Sequence, residues 1–159
     1  MADMLVRLYD LPEVSPMLEK LLAEGIEIRP AIAPEKFYVV DWVRSTFGSV
    51  WAGECDVAIS NKPSSCIVAI SNKTLLGFAC HEATYRNFFG PIGVCEDARK
   101  RGIGKALLLA SLHAMHEQGY AYAIIGGAGP NEFYQKIVDA ILIPGSDPGI
   151  YKGMLKSSR

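Results

Sequence analysis

The sequence predicts an α/β protein built on a mixed, mostly antiparallel sheet, and three observations carry that prediction. Short apolar segments separated by turn residues run from Ser65 to Val94, the pattern of an antiparallel meander. A polar turn at 95–104 then leads into a single long apolar helical segment. That segment stops at Gly119 and is followed by another β-like run, Tyr120 to Ile125. Strand, helix, strand in this order is a right-handed crossover between parallel neighbours.

A chain of 159 residues is expected to form one domain with a substantial core. Hydrophobic residues make up 50% and charged residues 21%, a globular balance. A formal net charge of −1 argues against a general nucleic-acid binder, which needs a broad basic face. Asp3, Arg7 and Asp10 interrupt the first apolar run, and no apolar stretch approaches the roughly 18 residues of a membrane span. The expected setting is therefore the cytoplasm, with no membrane partner. Cys55, Cys66, Cys80 and Cys95 lack Cys-x-x-Cys spacing and are read as reduced and mostly buried. His113 and His116 lie on the long helix without a nearby carboxylate or third ligand, so no metal site is expected.

In chain order, Met4 to Tyr9 reads as a strand and Pro12 to Glu24 as a helix, with Val14, Met17, Leu18, Leu21 and Leu22 on one side and Gly25 as its stop. This β-α unit, residues 1–25, is expected to pack on the core formed by 26–159; packing at a sheet edge and dimerisation are its other readings. Ile26 to Ile32 is the next strand, and Glu35 to Phe47 a helix. Phe37, Tyr38, Trp42, Phe47 and Trp51 crowd this region, as core material or as the lining of a pocket. Cys55 to Ser60, Ser65 to Ser71, Leu75 to Thr84 and Phe88 to Val94 read as strands. Ile103 to Gln118 is the long helix, apolar over so wide a face that burial on more than one side is expected. After Tyr120 to Ile125, a helix is expected over Asn131 to Ala140, with Pro130 as the breaker before it. Ile141 to Ile143 and Ile150 to Leu155 close the chain as strands.

The turn before the long helix is the most informative stretch. Helix N-termini present unpartnered N–H groups and the positive end of the dipole. Gly102 and Gly104 let a ligand approach that backbone, and Arg99, Lys100, Arg101 and Lys105 add positive charge, so the turn is an anion site. Arg99 and Ala106 stand where a Walker loop needs glycine and a hydroxyl, and Leu107 where a Rossmann turn needs its third glycine. What remains is Arg-x-x-Gly-x-Gly at Arg99, Gly102 and Gly104, directly after a strand. Here the sequence resembles the GCN5-related N-acetyltransferases (GNAT family), whose pyrophosphate signature is Gln/Arg-x-x-Gly-x-Gly/Ala. Phe133-Tyr134-Gln135-Lys136 is similar to that family's Leu/Phe-Tyr-Glu-Lys segment. The likeness covers about residues 26 to 155 and is motif-specific from Phe88 to Tyr134.

The resemblance implies a GNAT-type sheet with helices on both faces, to which residues 1–25 add an N-terminal β-α extension. It also implies acetyl-CoA as co-substrate and direct acetyl transfer to an amine of a small molecule or protein within a ternary complex. A non-catalytic acyl-CoA sensing module is the alternative. By the same resemblance, Val94 and Cys95 lie at the pantetheine arm, Arg99, Lys100, Arg101, Gly102, Ile103, Gly104 and Lys105 around the pyrophosphate, and Asn131 near the cofactor. Tyr134 is the implied general acid for the leaving thiolate. Two positions depart from the pattern: Gly127 replaces a frequent asparagine, and Phe88 occupies the place of a catalytic glutamate found in some members. Glu82 and Glu96 are the candidate bases, with Glu54 more remote. The chain does not identify the acceptor, and a homodimer is compatible with the extension and the closing strands.

Overall fold

A computed structural model describes residues 1–156. Seven strands form one sheet: β1 (Met4–Arg7), β2 (Glu27–Pro30), β3 (Cys66–Ser71), β4 (Thr74–His81), β5 (Phe88–Val94), β6 (Tyr122–Ile125) and β7 (Ile141–Leu142). Their order is β2-β3-β4-β5-β6-β1-β7. Every neighbouring pair is antiparallel except β5 and β6, which run parallel. The crossover between those two contains the long helix α4 (Ile103–Glu117). The other helices are α1 (Ser15–Ala23), α2 (Lys36–Phe47), α3 (Ser49–Ser60) and α5 (Asn131–Val138).

Alternation along the central strands sorts side chains into two cores. Ile67 and Ala69 of β3 with Ala79 of β4 join Leu107, Leu108, Leu112 and Met115 of α4 on one face. Cys66 and Val68 with Phe78 and Cys80 meet Val40 and Val43 of α2 and Ala52, Cys55 and Ile59 of α3 on the other. The breadth of the apolar face on α4 follows from its position: Ala106, Leu107, Leu108, Leu109, Ser111 and Leu112 are all buried. Cys55, Cys66 and Cys80 converge in the second core with their sulfur atoms within 4.8 Å of one another.

The chain departs from the sequence expectation in two segments. Residues 55–60 are helical, not extended: Ala52, Cys55, Ala58 and Ile59 bury one helical face against the sheet, and that packing outweighs the β-propensity of Val57 and Ile59. Ile150 to Leu155 is likewise no strand. A 3-10 turn spans Gly149–Tyr151 instead, and β7, the last strand, is already paired to β1. The N-terminal strand β1 sits between β6 and β7, hydrogen-bonded to both, rather than on an edge. No described helix is long and apolar enough to cross a membrane.

Candidate active site

The parallel pair β5–β6 holds together only at its start, where Phe88 faces Ile124 and Phe89 faces Ile125. Beyond Phe89, β5 stays with β4 (Gly77↔Val94, Phe78↔Gly93, Ala79↔Ile92) while β6 turns away through Gly126 to Gly129. The Cys95 N–H donates to the Leu76 carbonyl at 2.8 Å. Since an antiparallel ladder alternates its hydrogen-bonded pairs, the backbone groups of Ile92 and Val94 point to the opposite edge, into the opening. The Val94 carbonyl accepts a hydrogen bond from Arg99 Nε at 3.3 Å.

At the far end of β5 the chain makes a 3-10 turn at Glu96–Ala98 and enters α4 through Gly102. Lys100 has φ 66° and Gly102 φ +84°, left-handed conformations that turn the backbone back on itself. No side chain caps the N-terminus of α4, so its first N–H groups face outward. Arg99, Lys100, Arg101 and Lys105 are exposed around them. A Cβ added at Gly104 would lie 3.7 Å from Phe133 Cζ and 3.8 Å from Val94 Cγ2, which places the turn, the end of β5 and the start of α5 side by side. Val94, Cys95 and the 99–105 turn are thus brought together, and Asn131 is the first residue of α5, whose Phe133 lies beside Gly104.

The gap widens into a cleft of about 570 Å³ lined by Trp51, Glu54, Thr84, Phe89 to Ile92, Ile125 to Gly129, Tyr134 and Tyr151, among others. Tyr134 is 5% exposed, and its ring meets Phe133 and Phe89 edge-on at centroid distances of 5.1 and 6.4 Å. Burial pushes its phenol up to about 12. Asp3, itself buried, accepts the Gly127 N–H at 2.8 Å, while its own N–H donates to Ser146 Oγ at 2.8 Å. The N-terminal segment therefore braces the turn between β6 and α5.

The two candidate bases lie elsewhere. Glu82 accepts the Asn87 N–H at 2.6 Å on one oxygen and the Tyr120 hydroxyl at 2.9 Å on the other, tying the β4–β5 turn to the chain before β6. Glu96 is exposed in the 3-10 turn. Neither lines the cleft. Glu54 does: it is half-buried on α3, accepts the Thr84 hydroxyl, and is raised above the ordinary carboxylate range by burial, an effect the Thr84 bond opposes. The sequence concealed it because the segment beginning at Cys55 reads as a strand; the helical spacing of Trp51, Cys55 and Ala58 was the available signal. His113 Nε2 is 2.7 Å from the Pro12 carbonyl, a bond that docks α4 on the residues before α1. A second cleft of about 610 Å³ lies at the β2 edge beside Arg29, Glu35 and Lys73, remote from the glycine turn.

Residues 62–137 match the family model described as an acetyltransferase (GNAT) domain. A fungal multi-domain GH3 β-N-acetylglucosaminidase with a GCN5-related glucosamine N-acetyltransferase region shares the fold at TM-score 0.72 and 15% identity, over 89% of this chain and 19% of that one. A GCN5-related N-acetyltransferase from Sphaerobacter thermophilus aligns at TM-score 0.66 and 17% identity, over 89% of this chain and 48% of that one. A GNAT family acetyltransferase from Brucella melitensis, solved in complex with acetyl-CoA, aligns at TM-score 0.53 and 15% identity, over 74% of this chain and 86% of that one. The chain thus spans about a fifth and about half of the first two structures. The sequence matches no curated protein. In its fold and in the sequence of residues 62–137, the chain is similar to the GCN5-related N-acetyltransferases.

Proposed function

We propose that the chain is an acetyl-CoA-dependent N-acetyltransferase that passes the acetyl group directly to an amine in a ternary complex. The observation that carries this reading is the opening of β5 from β6 beyond Phe89, with the glycine turn at one end of the gap and Tyr134 at its wall. N–H groups at the start of α4, with Arg99, Lys100, Arg101 and Lys105 around them, suit a pyrophosphate. The backbone edge at Ile92 and Val94, unpaired with β6, suits the amide-bearing pantetheine arm, with Cys95 next to it and Asn131 assigned to the cofactor from the start of α5. The complex of the Brucella melitensis relative with acetyl-CoA supports the same assignment by analogy of fold.

Acetyl transfer needs a donor N–H for the carbonyl oxygen as it becomes negative, and a proton for the departing sulfur. The outward backbone of β5 suits the first need, and Tyr134 is assigned to the second. A non-catalytic acyl-CoA sensor is the other reading, favoured by one observation: Phe88 stands where some members carry a glutamate. The cytoplasm is the fitting compartment for its buried free thiols. A homodimer would form at β7, whose exposed Ile141 and Leu142 lie on the sheet edge.

The test is incubation of the purified protein with acetyl-CoA and a panel of primary amines, following thiol release and amine mass together. Amine-dependent thiol release with a matching acetylated product is expected. Saturable acetyl-CoA binding without any acetylated amine would favour the sensor.

A further inference from the structure

On the acetyltransferase reading above, we propose that Glu54 is the carboxylate that receives the acceptor's ammonium and takes its proton, and that the acceptor is a cationic primary amine on an aromatic or apolar body. Among the described residues that line the cleft there is no lysine, arginine or histidine. Its acidic side chains are Glu54 and Asp147, and the Asp147 side chain, 61% exposed at the rim, is paired at 3.1 Å with the exposed Met1 ammonium. The half-buried charge inside the cleft is therefore Glu54 alone. A site of this sign attracts a cation and repels a carboxylate-bearing amine, and the effect is strongest where water is thinned.

The orientation of Glu54 is fixed by Thr84, whose hydroxyl donates to one carboxylate oxygen, Oε1. The other oxygen has no hydrogen-bond partner among the described residues and is available to an ammonium. Burial raises Glu54, which strengthens it as a base, and the Tyr151 phenol is raised by burial and by the Glu54 charge. Around the carboxylate, Trp51, Tyr85 and Tyr151 offer ring faces, and Val50 and Ile150 offer aliphatic surface. Tyr85 is 57% exposed, Val50 61% and Ile150 40%, apolar surface at the cleft that an acceptor body would cover. Ring faces near an ammonium add a cation–π attraction.

The step balances without any further reactant. The ammonium gives one proton to Glu54, and the free amine nitrogen forms a bond to the thioester carbon. As the C–S bond breaks, the thiolate takes the Tyr134 proton, and Tyr134 recovers one from the attacking nitrogen. Glu54 releases its proton to water. Of the two protons the nitrogen loses, one is thus carried by the thiol and one by solvent.

The experiment compares wild type with Glu54→Gln, which preserves shape and an acceptor oxygen for Thr84, using 2-phenylethylamine and glutamate as probe amines. Acetyl-CoA affinity and thermal stability are measured in parallel. The proposal expects phenylethylamine to be acetylated in preference to glutamate, and Glu54→Gln to lower its kcat/KM by about 100-fold or more with acetyl-CoA affinity unchanged. A variant within about threefold of wild type, below the loss a lost base produces, overturns the role of Glu54. Preference for glutamate overturns the acceptor class while leaving the acetyltransferase reading intact. Acetyl-CoA binding with no amine acetylated in the broader panel would instead refute that reading, and this inference with it.

Discussion

Replacing Tyr134 with phenylalanine separates the chemistry from the fold. Burial holds its phenol at about 12. Taking a cysteine-like thiol at about 8.5, full proton transfer from Tyr134 to a thiolate is uphill by about 3.5 pH units, or about 5 kcal/mol. That lies well inside the barrier of about 16 kcal/mol that a turnover near 10 per second implies. The phenol can therefore serve while the C–S bond breaks without losing its proton beforehand. Phenylalanine retains the edge-on contacts with Phe89 and Phe133, so stability and acetyl-CoA affinity should be nearly unchanged. Single-turnover thiol release should fall by about 10²- to 10⁴-fold, the usual worth of a positioned acid. The wild-type rate should also remain insensitive to tyrosine ionisation through pH 10, the ordinary value, and fail only on approach to about 12. A single-turnover rate within about threefold of wild type, below the worth of a positioned acid, would refute the acid role.

Two further substitutions test the frame around the cleft. A Cβ at Gly93 would meet Phe47 Cζ at 2.5 Å, and Phe47 packs on Trp51 at 5.2 Å between ring centroids. Gly93→Ala should cost about 1–3 kcal/mol by overpacking and raise the acceptor KM through Trp51; an unchanged urea midpoint would contradict that contact. His81 is 2% exposed, and burial lowers it from 6.5 to about 4. Because the folded value lies below the unfolded one, its contribution is complete above pH 6.5 and is lost as pH falls towards 4, to a total of about 3 kcal/mol. Urea midpoints across this window should therefore fall more steeply for wild type than for His81→Leu, and parallel profiles would exclude His81 as the cause.

The sequence made the glycine turn and its flanks legible because there the local signals agree. Alternation bounds β5 at Phe88–Val94, the glycines mark the turn, and α4 opens at Ile103 as its apolar pattern requires. The short helix that carries Tyr134 to the cleft was legible for the same reason, with a breaker before it. The cleft wall around Glu54 was not legible. Glu54, Thr84 and Tyr151 come from α3, the loop after β4 and a C-terminal 3-10 turn, and only the packing of Ala52, Cys55, Ala58 and Ile59 on the sheet brings Glu54 to the cleft. Residues 55–60 and 150–155 were misread because β-branched and aliphatic runs look alike in a strand and in a short buried helix or turn. Asp3 escaped for a related reason: its bond to the Gly127 N–H links residues 124 positions apart.

The central claim, that the glycine turn holds the acyl donor, is tested most directly by calorimetric titration of acetyl-CoA into wild type and Gly104→Glu. The structure leaves room for a Cβ at this position, with nearest contacts of 3.7 and 3.8 Å, and a carboxylate in the first turn favours the helix dipole. The variant should therefore stay folded while placing a negative charge where the pyrophosphate is expected. One-site binding to wild type, lost in a variant with an unchanged melting profile, is the predicted result. Equal binding by both proteins, or none by wild type, would contradict it.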